Sequence, residues 1–92
     1  FSMQFFIEVG LLSQAEATLD SFEAAVRDIP EVLECHLMAG QADYLLRVVC
    51  RDPEDFERLH RRLAARLPGV ARLHSKMSIR EVKARQGLPV HE

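Results

Sequence analysis

The chain has 92 residues, 48% of them hydrophobic and 28% charged, with a formal net charge of −2. That length accommodates one two-layer domain and leaves no room for a second of any size, and the composition excludes a disordered or low-complexity chain. The slightly acidic balance lacks the cationic excess that a row of phosphates would require, so DNA binding by this chain alone is not expected. No stretch approaches the roughly 20 apolar residues of a membrane span. Phe1-Ser2 precedes Met3 without a targeting pattern and is expected to be a cloning remnant. Cys35 and Cys50 are too few for a disulfide framework and lack metal-site or redox spacing, which points to a cytoplasmic protein with no metal and no cofactor.

Met3 to Leu11 alternates, with Phe5, Ile7 and Val9 on one side and Gln4, Phe6 and Glu8 on the other, which predicts a strand. Ser13 and Glu16 have capping-box spacing, and Leu19, Phe22, Val26 and Ile29 recur at intervals of three and four, so an amphipathic helix is predicted up to Pro30. Val32 to Ala39 alternates again, Leu33, Cys35 and Leu37 opposing Glu34, His36 and Met38. A turn over Gly40-Gln41-Ala42 then leads into a strand from Tyr44 to Cys50, predicting a hairpin. Asp52-Pro53 opens a second helix carrying Phe56, Leu59, Leu63 and Leu67, and Pro68-Gly69 closes it. A last strand is predicted over Val70 to Val82. The domain is expected to span residues 3–83, with an unassigned tail at 84–92.

The order βαββαβ, and the echo of Asp28-Ile29-Pro30-Glu31-Val32 in Arg66-Leu67-Pro68-Gly69-Val70, suit two βαβ-type halves of a ferredoxin-like α+β fold. Right-handed crossovers would place both helices on one face of a four-stranded antiparallel sheet. The expected hairpin register sets His36 opposite Arg47, Met38 opposite Leu45 and Glu34 opposite Val49, with Cys35 near Val48 and Cys50 near Leu33. The face away from the helices is then too apolar to be left in water and too charged for a monomer core. Homodimerisation is predicted through it, using Phe6, Glu34, His36, Leu45, Arg47 and Val49.

The four histidines and 14 acidic residues show no triad, metal or phosphate-loop spacing, so no catalytic residue is assigned and the chain is not read as an enzyme. His36 and His74 are the one pair that could share a surface, as in a dimeric α/β-barrel enzyme; interface histidines bonded to neighbours such as Glu34 are the simpler reading. More informative is the turn from Ala39 to Tyr44. A glycine turn presents backbone amides to a carboxylate, and an aspartate nearby can accept from an α-ammonium group, which are the two ends of an amino acid. Hairpin turns also select Gly and Asp for their own conformational reasons.

Across nearly its whole length the chain resembles the C-terminal, or RAM, domain of Lrp/AsnC (feast/famine) transcription regulators. The matching pieces are Phe5-Phe6-Ile7-Glu8-Val9, the phrase Pro30 to His36, the turn and strand Gly40 to Leu46, Leu67-Pro68-Gly69-Val70, and the closing Ser75 to Lys83. The resemblance implies the ferredoxin-like fold, dimerisation through the sheets in the dimeric α/β-barrel manner, and further assembly into octamers. It also implies a small-molecule effector, an amino acid, bound where dimers meet. Its site would be lined by Met38, Ala39, Gly40, Gln41, Asp43 and Tyr44 from the turn and by His74, Ser75 and Met77 from the last strand. Gln41 and Ser75-Lys76 depart from the residue types often found there, which implies a different effector preference. DNA would be reached only through an N-terminal helix-turn-helix that this chain does not contain. An oligomerisation module without a ligand is the alternative within the same fold.

Overall fold

Alternation over Met3–Leu11 makes β1 a strand with two chemically different faces, and this strand becomes an inner member of the sheet. In the computed structural model, which describes residues 2–84, it is followed by α1 (Glu16–Arg27), β2 (Val32–Leu37), β3 (Tyr44–Cys50), α2 (Pro53–Arg66) and β4 (Val70–Met77). The four strands pair antiparallel in the order β2-β3-β1-β4, which is the ferredoxin-like arrangement. Apart from Ala84, the expected tail lies outside the described residues, as does Phe1.

The core forms between one sheet face and the apolar stripes of the helices. Phe5, Ile7 and Val9 of β1 and Tyr44, Leu46, Val48 and Cys50 of β3 meet Phe22 and Val26 of α1 and Leu59 and Leu63 of α2, all of them buried. Two stacked aromatic pairs tie each helix to the sheet: Phe22 on Tyr44, with centroids 4.5 Å apart, and Phe56 on Phe5 at 3.9 Å. Asp52 opens α2 as expected, its carboxylate accepting from the Asp55 amide at 2.8 Å with Pro53 in the first turn.

Four local expectations are corrected. Ser13 does not cap α1. Its hydroxyl accepts from the Ala15 amide at 3.0 Å, and the helix begins only at Glu16, with Ala15 as an N-cap that makes no side-chain bond. The hairpin register differs by two residues: Glu34 faces Arg47, Cys35 faces Leu46 and His36 faces Leu45, because Met38 closes the loop on Asp43 and leaves Ala39 to Ala42 as the connection. A shift of two preserves which side each residue occupies, so the face assignment of Glu34, His36, Leu45, Arg47 and Val49 survives it. Cys50 correspondingly pairs with Met3 instead of lying near Leu33. Leu33 and Leu37 were expected on the Cys35 side of the strand, yet they are 49% and 59% exposed. A register irregularity between Val32 and Glu34 turns Leu33 outward, and β2 is an edge strand on which α1 leaves a cleft between Leu37 and Glu23. Finally, β4 stops at Met77 and not Val82. Only the Ser78 amide still reaches the Gln4 carbonyl, at 2.8 Å, and Ile79 and Val82 are exposed.

Asp43 is the buried acid of the fold, 7% exposed. Its Oδ2 accepts from the Leu11 amide at 2.7 Å and its Oδ1 from the Gln14 side-chain amide at 2.6 Å, while its own amide donates to the Val9 carbonyl at 3.0 Å. The first two bonds favour the charged form and hold its carboxyl below the usual aspartate range. Tyr44 stands next to it on the helix side, its hydroxyl donating to Glu23, and burial with that partner raises it above the ordinary phenol range.

Two outcomes follow for stability. Phe22→Ala, which empties the fully buried position against Tyr44, is expected to cost about 3–5 kcal/mol in urea unfolding. Because the Asp43 carboxyl is depressed in the folded chain, its contribution is complete above the unfolded aspartate pKa of roughly 3.9 and is lost as pH falls below that value. Asp43→Asn should therefore lower the urea midpoint at neutral pH, and the gap between variant and parent should narrow on acidification to pH ~2–3.

Candidate functional site

Even-numbered residues of β1 and odd-numbered residues of β3 point away from the helices, and the pairing brings them side by side with β2 and β4. Phe6 lies between Arg47 and Lys76, Glu8 between Leu45 and His74, and Gly10 beside Arg72. At the β2 side of this outer face a polar network is built around Arg47. Its guanidinium donates to Glu34 at 2.6 Å and to the side-chain amide oxygen of Gln4, and His36 bonds the other Glu34 oxygen at 3.1 Å. These bonds to His36 and Arg47 hold the Glu34 carboxyl below its ordinary range. Phe6, Glu34, His36, Leu45, Arg47 and Val49, expected to share an interface, thus do share one surface.

A concavity of about 560 Å³ opens at the end of this face nearest the β2–β3 loop. Met38, Ala39, Gln41 and Ala42 form its loop wall, Glu8, Gly10 and Leu45 its floor, and Arg72 and His74 its far wall. The loop reaches β4 because Arg72 crosses the end of β1 and donates to the Gln41 carbonyl at 3.1 Å. That crossing depends on Gly10: a Cβ there would sit 2.9 Å from the guanidinium carbon of Arg72, closer than side-chain contacts allow. Gly40, with φ of 113°, supplies the left-handed step that turns the loop. Glu8 holds Lys76 at 3.7 Å on the same face. The result is an open hollow with cationic and anionic groups at its rim and apolar carbon from Met38 and Leu45 between them.

Of the predicted ligand-lining residues, the fold brings Met38, Ala39, Gln41 and His74 together here. Gly40 is exposed in the loop beside them. Asp43 and Tyr44 lie behind the loop instead, the first bonded to Leu11 and Gln14, the second packed in the core. Ser75 faces the helix side opposite Ile7, its hydroxyl buried and without a hydrogen-bond partner among the described residues. Met77 pairs with Phe5 at the far end of β1. His36 and His74 do occupy one face, but on the two opposite edge strands, about 14 Å apart at the usual strand spacing, too far to share a ligand within one chain. Among the described residues no group of three His, Cys, Asp or Glu could hold a metal ion. Cys35 is half-buried and its thiol is pushed up to about 11 by burial and by Glu23, the behaviour of an unreactive thiol. Sequence reasoning missed Glu8, Gly10, Ala42 and Arg72. The signal for Gly10 was present, since a glycine inside a strand marks a bulge or a close approach, and β1 has its irregularity between Gly10 and Leu11.

Residues 4–88 match the family model described as the Lrp/AsnC ligand binding domain. The chain is 51% identical over 78 residues to an uncharacterized HTH-type transcriptional regulator of Sinorhizobium fredii, covering 85% of this chain and 61% of that protein. It is 35% identical over 82 residues to the leucine-responsive regulatory protein of Salmonella typhimurium, covering 89% and 50%. Among solved structures, an AsnC family transcriptional regulator from Agrobacterium tumefaciens matches with a TM-score of 0.88 at 28% identity, over 96% of this chain and 57% of that one. A transcriptional regulator from Neisseria meningitidis, solved as a complex with L-methionine, matches with a TM-score of 0.84 at 32% identity, over 95% and 56%. These relatives are transcriptional regulators and not enzymes, and the chain spans between half and about three-fifths of their length. The chain therefore belongs to the Lrp/AsnC family of transcriptional regulators, as a ligand-binding domain of that family.

Proposed function

We propose that residues 3–83 are a cytoplasmic sensing and oligomerisation domain that binds an amino acid where subunits meet and thereby alters assembly. Through assembly it would change DNA binding by helix-turn-helix domains attached on its N-terminal side. One observation carries the sensing half: the loop after β2 and the first part of β4 border an open hollow lined by Met38, Ala39, Gln41 and His74 together with charges of both signs. Binding sites for small zwitterions need that combination of apolar wall and a few placed polar groups. The Neisseria meningitidis relative, solved with L-methionine, supports an amino acid as the ligand class.

The assembly half rests on the outer face. Phe6, Leu45 and Val49 alternate there with Glu34, His36 and Arg47, an apolar strip edged by both signs of charge, which suits an isologous contact in which the same patch meets itself. Two such sheets packed face to face make a dimeric α/β barrel. Dimers would associate further, up to an octamer, with the effector held between them. A ligand shifts such an equilibrium only by its difference in affinity for the two assemblies.

Calorimetry against the proteinogenic L-amino acids tests sensing: binding of at least one, with a change in molar mass by light scattering, is expected, and silence of all of them at millimolar concentration would remove the sensing half. Phe6→Glu tests the interface. Arg47 and Lys76 beside it keep the new carboxylate compatible with the fold, but burying it between two sheets costs roughly 1–3 kcal/mol per site or more. Monomers with unchanged circular dichroism are expected, and a persistent dimer would place the contact elsewhere.

A further inference from the structure

Resting on the amino-acid reading above, we infer that Arg72, laid across Gly10, is the anchor for the ligand's α-carboxylate, and that Glu8, two positions earlier on the same face of β1, receives its ammonium group. Arg72 is exposed, and its only hydrogen bond among the described residues is the one to the Gln41 carbonyl, which leaves the other donors of a five-donor planar fork. A guanidinium matches a carboxylate with two parallel bonds, so it fixes orientation as well as charge. Glu8 and Gly10 are next neighbours on one side of the strand, with Cα positions roughly 7 Å apart. Arg72 over the second and the carboxylate of the first, which also lies 3.7 Å from Lys76, line one hollow and would meet the two ends of an α-amino acid headgroup. The ligand's side chain is then directed across Leu45 towards Met38, which selects an uncharged apolar substituent of moderate size.

Gly10 is the specificity-determining position in this arrangement. A methyl group there would stand 2.9 to 3.1 Å from three atoms of Arg72, so the guanidinium would have to shift from the position in which it bonds the Gln41 carbonyl. The site's polarity is thus set by the lack of a side chain on one strand and the reach of a side chain on the next.

The test measures binding of the proteinogenic L-amino acids, and of the corresponding L-amino-acid amides, to this chain and to its Arg72→Gln and Gly10→Ala variants by calorimetry, with melting curves confirming that each is folded. For an amino acid that binds the parent, Arg72→Gln should weaken affinity roughly 10- to 100-fold, as loss of a charge-assisted bond does. The amide, which lacks the carboxylate charge, should bind the parent correspondingly weakly and lose little further in Arg72→Gln, because the two changes remove the same interaction. Gly10→Ala should reproduce the loss with Arg72 still present. A binding amino acid whose affinity is unchanged in Arg72→Gln, or an amide that binds as tightly as its acid, would overturn the assignment while leaving the amino-acid reading intact. A failure of all amino acids on the parent would overturn both.

Discussion

A single buried carboxylate holds together the end of this domain that carries the β2–β3 loop. Asp43 accepts from Leu11 at the end of β1 and from Gln14 on the β1–α1 connection and donates through its amide to Val9, while its carbonyl receives the Met38 amide at 2.9 Å. Every polar group of the residue is therefore spent on its own chain. A buried acid is tolerable only when satisfied in this way, and once satisfied it rigidifies what it touches. What it touches is the start of β3, the end of β1 and the root of the 39–42 loop, so the loop wall of the hollow is set by an interaction lying behind it. Asp43 thus supports the loop that carries Met38, Ala39 and Gln41.

From that anchor the sheet divides into two chemistries. The helix side is conventional core, in which Tyr44 and Phe5 carry aromatic stacks to one helix each. The opposite side is a mosaic: an apolar strip of Phe6, Leu45 and Val49, a network centred on Arg47, and a charged hollow at one end. Surfaces of this mixed kind resemble the interfaces of oligomers more than open protein surface. Because Leu45 belongs to both the apolar strip and the floor of the hollow, a ligand there would sit directly beside any contact made by the sheet face. Coupling between binding and assembly then needs no long path through the fold; it requires only that the covered and uncovered faces hold the ligand with different affinity.

Much of this was legible residue by residue. The element order, both helix stripes and the sorting of β1 and β3 into two faces follow from periods of two and 3.6, which are local properties of the chain. The face assignment even survived a wrong hairpin register, since a shift of two residues moves partners without moving sides. The local misreadings share a cause. Ser13 with Glu16 has the spacing of a capping box, but spacing does not decide whether the chain enters the helix there, and Ser13 instead bonds Ala15 ahead of it. Leu33 and Leu37 have core chemistry, but β2 is an edge strand that α1 covers incompletely.

Alone, then, the amino-acid sequence determined the fold class and the two-faced sheet, because hydrophobic periodicity and turn chemistry act between near neighbours, while the family followed from the resemblance of its phrases to known regulators. Tertiary structure decided which residues make the hollow. Gly10 and Arg72 are separated by most of the chain and become partners only because β4 pairs with β1 in one register, and Asp43 is tied into the fold only where Leu11 and Gln14 fold back onto it. Such pairings depend on long-range closure of the chain, which no local pattern encodes.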